Sequence, residues 1–121
     1  MRSPVKVALL GYGTVGRSVA RILDECTDEA KLTRILMRPG FNPKDQRMTD
    51  SFESILDDHS IEVVVECMGG LEPAHECIVR ALMSGKHVVT SNKAVVSTYF
   101  SEFVSVGEKY GSTLRIEACV G

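Results

Sequence analysis

Val5 to Leu23 reads VKVALLGYGTVGRSVARIL, and the fold turns on how this stretch is read. Val5 to Leu10 is a short apolar run ended by glycine, the pattern of a strand buried on both faces. From Thr14 the period changes. Val15, Val19, Ile22, Leu23 and Cys26 recur at i, i+4, i+7, i+8 and i+11, which predicts one apolar stripe of a helix. Arg17, Ser18, Arg21, Asp24 and Glu25 take its other side. Between the two elements stand Gly11, Gly13 and Gly16, spaced G-x-G-x-x-G. In a dinucleotide cradle the first glycine permits a tight turn, the second lets backbone approach a pyrophosphate, and the third lets helix and strand pack closely. The helix N-terminus then offers N–H groups and partial positive charge to the phosphates. The same glycines also suit a bare strand–turn–helix that holds no ligand. The strand before and the helix after favour the cradle.

Outward from this stretch the alternation continues. KLTRILM, Lys31 to Met37, predicts a second strand. RPGFNPKDQRMTD, with two prolines and a glycine, reads as a loop. SFESILDD predicts a short helix with Asp50 or Ser51 as its N-cap. IEVVVECMGG predicts a third buried strand ending in a glycine pair. EPAHECIVRALMSG carries proline in its first turn and Gly85 just past its end, and Ala74, Cys77, Ile78, Ala81 and Leu82 form one stripe of the predicted helix. KHVVTSNKAVVS predicts a strand and a turn, TYFSEFVSVGEKYG a helix closed by Gly111, and STLRIEACVG a last strand. Strands alternating with helices, joined by crossovers long enough to be right-handed, predict an α/β fold: a doubly wound parallel sheet of Rossmann type, one domain over residues 1–121. The sheet ends without a next element, so the expectation is a cofactor domain only, truncated before a substrate domain.

Composition narrows the class. The chain has 121 residues, 44% of them apolar and 25% charged, as in an ordinary soluble domain that is small for a complete enzyme. Its formal charge is −2 and no basic stripe is interleaved with aromatics, which argues against a nucleic-acid partner. No run approaches the roughly 20 apolar residues of a membrane helix, and VALL is too short for a secretory leader core. Cys26, Cys67, Cys77 and Cys119 form no C-x-x-C pair, so neither a zinc site nor a disulfide framework is expected. They read as small buried thiols in a reducing, cytoplasmic compartment. His59, His75 and His87 are isolated and lack ligand spacing. Glu66, closing a buried strand, faces either a cofactor or backbone donors.

An NAD-binding unit carries an acidic residue about twenty positions past the last glycine, for the ribose hydroxyls. Here the corresponding stretch is LMR, Leu36 to Arg38, with no carboxylate. From Lys31 to Arg47 stand five basic residues (Lys31, Arg34, Arg38, Lys44, Arg47) and one acidic, Asp45. A guanidinium at the end of the second strand suits a 2′-phosphate, where a charge-assisted bond is worth about 1.5–3 kcal/mol. That is about a tenfold to hundredfold preference for NADP over NAD. The alternative is a solvated basic loop that meets no ligand.

Taken together, GYGTVG, VVVECMGGLEPAHECIVRALMSGKHVVTSNKAVVS and the terminal RIEACVG resemble the N-terminal NAD(P)-binding domain of homoserine dehydrogenase across essentially the whole chain. That family interconverts L-homoserine and L-aspartate 4-semialdehyde by hydride transfer, on the route to threonine, methionine and isoleucine. The resemblance implies that Gly11, Gly13, Thr14, Val15 and Gly16 hold the pyrophosphate and that Met68, Gly69 and Gly70 border the ribose and phosphates. It sets Ser91, Asn92 and Lys93 by the nicotinamide, with Lys93 matching one of two lysines at the reacting centre. Glu117 and Val120 match part of a monovalent cation site built largely of backbone carbonyls. An ammonium aimed at the aldehyde oxygen stabilises the charge that hydride delivery develops there, or supplies its proton. The family's second domain supplies the other lysine, the carboxylates that grip the substrate and much of a homo-oligomer interface. This chain alone is therefore expected to bind cofactor without turning over substrate. Two alternatives stay open: a stand-alone NAD(P)-binding sensor module, and a related dehydrogenase acting on another semialdehyde or a sugar.

Overall fold

Strand and helix alternate along the chain: β1 (Val5–Leu10), α1 (Thr14–Glu25), β2 (Ala30–Leu36), β3 (Met48–Thr49), α2 (Phe52–Leu56), β4 (Ile61–Glu66), α3 (Ala74–Met83), β5 (His87–Thr90), α4 (Lys93–Tyr110) and β6 (Leu114–Ile116). This is a computed structural model, and it describes residues 3–116. The six strands form one sheet in the order β3-β2-β1-β4-β5-β6, and every pairing is parallel. Chain order runs outward in opposite directions from β1 and β4. In such sheets a crevice opens where the order reverses, beyond the carboxyl ends of those strands.

Successive side chains of β1 feed two cores, as strand alternation requires. Ala8 and Leu10 pack with Ile55, Val64, Ile78, Leu82, Val88 and Phe103, beneath α3 and α4. Leu9 packs on the other face with Ala20, Leu32 and Ile35, beneath α1. Leu9, Leu10, Ile35, Val64 and Ile78 are wholly buried, and each removes apolar surface worth about 1.5–3 kcal/mol. With helices on both faces, the doubly wound reading holds.

Three local readings are corrected. In α1 the predicted stripe is only partly buried. Val15 and Cys26 are exposed and Ile22 is 55% exposed, whereas Gly16 and Ala20 are buried with Val19 and Leu23 beside them. The helix packs on its smallest side chains because Gly16 lies against the backbone of Gly11. The segment NKAVVS, read as a turn, forms the start of α4. Asn92 caps that helix by accepting from Val95 N–H, and Val95 and Val96 are buried. A kink at Tyr99 marks the place where the helix was expected to begin. Within the expected loop, Met48 and Thr49 add an edge strand beside Ile35 and Leu36. The α3 stripe Ala74, Cys77, Ile78, Ala81 and Leu82 is buried as predicted, Ser51 rather than Asp50 caps α2, and Gly111 closes α4 in the left-handed region.

Candidate functional site

At the carboxyl edge of the sheet the strands lead into three turns that enclose a cleft of about 500 Å³. One wall is the N-terminus of α1 (Gly13, Thr14, Val15), another the residues leaving β4 (Glu66 to Gly69), and the third the turn into α4 (Ser91, Asn92, Lys93).

The glycines of the first wall differ in what the fold asks of them. Gly11 has φ +99°, and a Cβ there would stand 3.1 Å from the Cys67 carbonyl. A Cβ on Gly16 would stand 2.2 Å from the carbonyl oxygen of Gly11. Chain conformation and packing therefore demand both. Gly13 is different: its φ is −81°, and an added Cβ would meet nothing within 4 Å. No described residue requires glycine at that position. Gly13 is also the N-cap of α1, without a side-chain cap and without an acidic residue in the first turn. The orphan N–H groups of this 12-residue helix and its positive dipole end are left to be met by something else.

The opposite walls are tied together by side chains. Glu66 is completely buried. Its Oε2 accepts the N–H of Met68 at 2.7 Å and of Gly69 at 3.1 Å, and its Oε1 accepts the Thr90 hydroxyl at 2.5 Å. Thr90 Oγ1 accepts the Asn92 N–H at 3.0 Å, and Asn92 Nδ2 donates to the Gly70 carbonyl at 2.6 Å. Gly69 and Gly70 are both left-handed, which lets the chain turn sharply over this carboxylate. Lys93 is exposed in the first turn of α4, where the helix dipole disfavours a cation by about 0.3–1 kcal/mol. Helix formation does not explain a lysine there.

Of the residues singled out from sequence, Gly13, Thr14, Val15, Met68, Gly69, Ser91, Asn92 and Lys93 line the cleft. Gly11, Gly16 and Gly70 shape its walls from behind. Glu117 and Val120 lie outside the described residues. Sequence reasoning left Glu66 between two roles and missed Thr90. The available signal was register, since β4 and β5 place Glu66 opposite Thr90.

The argument from five clustered basic residues is corrected. Arg47 donates to Asp45 at 2.7 Å and to Asp24 at 2.8 Å, so it is spent on pinning the loop to α1. Hydrogen bonds from Arg47 hold the Asp45 carboxyl down at about 2. Arg34 donates to the Thr33 carbonyl, and Lys31 stands at the amino end of β2, away from the cleft edge. Arg38 and Lys44 remain exposed on the loop. Gly11 N–H donates to Leu36 O, so the chain carrying Arg38 leaves β2 beside the glycine turn.

The thiols are also less uniform than expected. Cys77 is buried, and burial pushes its thiol up to about 11, while Cys26 is exposed. A second, smaller cavity lies at the amino ends of β4 and β5, beside Lys86, whose ammonium donates to the carbonyls of Asp58 and Ile61. Among the described residues no group of three His, Cys, Asp or Glu could hold a metal ion, and no helix is long and apolar enough to cross a membrane.

The architecture and sequence have known counterparts. A homoserine dehydrogenase from a Synechocystis strain is 38% identical over 97% of this chain, which spans 30% of that protein's length. The crystal structure of S. aureus homoserine dehydrogenase superposes with a TM-score of 0.83 at 30% identity, covering 98% of this chain and 33% of that one. A hyperthermophilic archaeal homoserine dehydrogenase in complex with NADPH gives a TM-score of 0.78 at 25% identity, over 95% of this chain and 44% of that one. The sequence-family model "Homoserine dehydrogenase, NAD binding domain" matches residues 11–117, from the first glycine of the turn past the last described strand. The chain thus belongs to the family of homoserine dehydrogenase NAD-binding domains.

Proposed function

We propose that the chain is the cofactor-binding part of an NAD(P)-dependent oxidoreductase that interconverts L-homoserine and L-aspartate 4-semialdehyde, serving threonine, methionine and isoleucine synthesis in the cytoplasm. The observation that carries this reading is Gly13, a glycine that no described neighbour requires, at the N-cap of a helix without a side-chain cap at the mouth of the cleft. A pyrophosphate drawn against that backbone explains why no side chain stands there. The residues fit the group. The N–H groups of Thr14 and Val15 would receive the phosphates, Met68 to Gly70 would flank the sugars, and Ser91, Asn92 and Lys93 would face the nicotinamide. The bound nicotinamide supplies or accepts the hydride.

Lys93 would hold its ammonium toward the carbonyl oxygen of the substrate, stabilise the charge growing there and pass it a proton. Its position at a helix N-terminus, against the dipole, supports a role outside the helix. Arg38 and Lys44, the two loop cations left exposed, favour NADP over NAD by meeting the 2′-phosphate. The archaeal relative in complex with NADPH supports the same choice. Backbone carbonyls around Glu117 and Val120 would bind a monovalent cation, and the complete enzyme would work as a homo-oligomer on its small-molecule substrate. The relatives do not favour a stand-alone sensor or a different semialdehyde. Calorimetric titration of the chain with NADPH and NADH in parallel tests the reading. Tighter binding of NADPH supports both the cradle and the Arg38 assignment, equal binding removes Arg38, and no binding to either refutes the cradle.

A further inference from the structure

Glu66 is the one fully buried carboxylate among the described residues, and it sits in the wall of the cleft. Each of its described partners is a donor: two backbone N–H groups on Oε2 and the Thr90 hydroxyl on Oε1. Thr90 Oγ1 also accepts from Asn92 N–H, so one hydroxyl joins Glu66 to the turn into α4. Two backbone N–H groups and a hydroxyl converging on the two oxygens form a donor set that suits an ionised carboxylate. No lysine or arginine pairs with it among the described ion pairs. The fold thus sets this carboxylate, whose described partners are dipoles and not cations, in the cleft wall between the glycine turn, where it pairs with Leu10, and the turn into α4, where it pairs with Thr90.

We propose that Glu66 is a positioning and specificity-determining residue of this site: through Thr90 and Asn92 it fixes the Met68–Gly70 turn against the turn that carries Lys93, and its charge favours the oxidised, positively charged nicotinamide over the reduced, neutral one. The inference rests on the cofactor reading of the cleft. The clamp and the charge are separable. In Glu66→Gln the amide oxygen can still accept from Met68 and Gly69 while the amide nitrogen donates to Thr90 Oγ1, so the shape persists and the charge is lost. In Thr90→Val the charge persists and the link to Asn92 is lost, and Thr90→Ser restores the hydroxyl.

The test is calorimetric titration of the 121-residue chain and these variants with NADP+ and NADPH, with thermal unfolding monitored alongside. E66Q should raise the ratio of Kd for NADP+ to Kd for NADPH by about three- to tenfold, the size of one charge interaction in a partly polar cleft. T90V should weaken both forms by a common factor, and T90S should recover them. Should E66Q fail to fold, E66Q/T90S keeps every acceptor and, by removing the Thr90 methyl, gives the amide room, and the same ratio decides. An unchanged ratio in a folded charge-removal variant overturns the electrostatic role, and full binding of both forms by T90V overturns the clamp. If the unmodified chain binds neither form, the cofactor reading fails first and this inference falls with it.

Discussion

Replacing Gly13 and Gly16 separately by alanine should divide ligand binding from folding. At Gly16 the new Cβ would stand 2.2 Å from the Gly11 carbonyl oxygen and 2.9 Å from its carbon. To reach an ordinary contact, strand turn and helix must separate by about 1 Å, and both sides of the clash are backbone, so no side chain can swing away. Overpacking of this kind costs about 1–3 kcal/mol. The helix gains up to about 1 kcal/mol from alanine over glycine, leaving a net loss of about 1–2 kcal/mol. For a domain of this size that lowers Tm by about 4–8 °C. At Gly13 the added methyl meets no atom of the described residues, and the backbone there is extended with a negative φ that alanine can adopt. A weaker N-cap and a less flexible unfolded chain nearly cancel, so stability should change by less than about 0.5 kcal/mol. NADPH binding should nevertheless fall at least tenfold, about 1.4 kcal/mol, because the methyl occupies the approach of the pyrophosphate. Thermal unfolding and calorimetry on both variants read the two effects. If Gly13→Ala binds NADPH as well as the unmodified chain, nothing presses on that backbone and the cradle argument is wrong.

Arg38→Ser should weaken NADPH binding by about tenfold to a hundredfold and leave NADH nearly unaffected, since only the former carries the 2′-phosphate; an equal loss for both would place Arg38 outside that contact. His75 is bracketed by Glu102 and Glu72 and stacked on Tyr99, and its pKa is raised, mainly by the hydrogen bond to Glu102. A raised folded-state value stabilises the fold below the ordinary histidine value of 6.5, and the gain is lost as pH rises through the folded value. The Tm difference between the unmodified chain and His75→Gln should therefore be greatest near pH 6 and shrink toward pH 9, and a constant difference would count against the ion pairs. Lys86→Met should cost about 1–3 kcal/mol in urea unfolding, because the Asp58 and Ile61 carbonyls lose a charged donor inside the protein. Full stability in that variant would mean that water replaces the ammonium there.

How far the sequence could be read depended on how far apart the interacting residues lie. The change of period at Thr14, the proline and glycine that bracket α3 and the αL glycine after α4 are local signals, and the helix boundaries they mark are where they were expected. The burial of α1 was misjudged because hydrophobicity points to Val15 and Ile22, while the actual contact is set by backbone approach at Gly16. Only the position of Gly11 against the helix reveals that. Arg47 counted toward the basic excess of its loop. Its second partner, Asp24, arrives from 23 residues away on α1 and removes it from the ligand-facing set. Glu66 shows the same dependence on distance, for its role is decided by Thr90, brought alongside by the pairing of β4 with β5. The strand–glycine turn–helix was legible because it is built from consecutive residues whose period and glycines are local signals. The opposite walls were named through the resemblance, at Met68 to Gly70 and Ser91 to Lys93, but the link between them was not legible, because side chains from separate strands build it. The coupling between those two walls is therefore what sequence motifs describe least and the Glu66–Thr90–Asn92 network describes best.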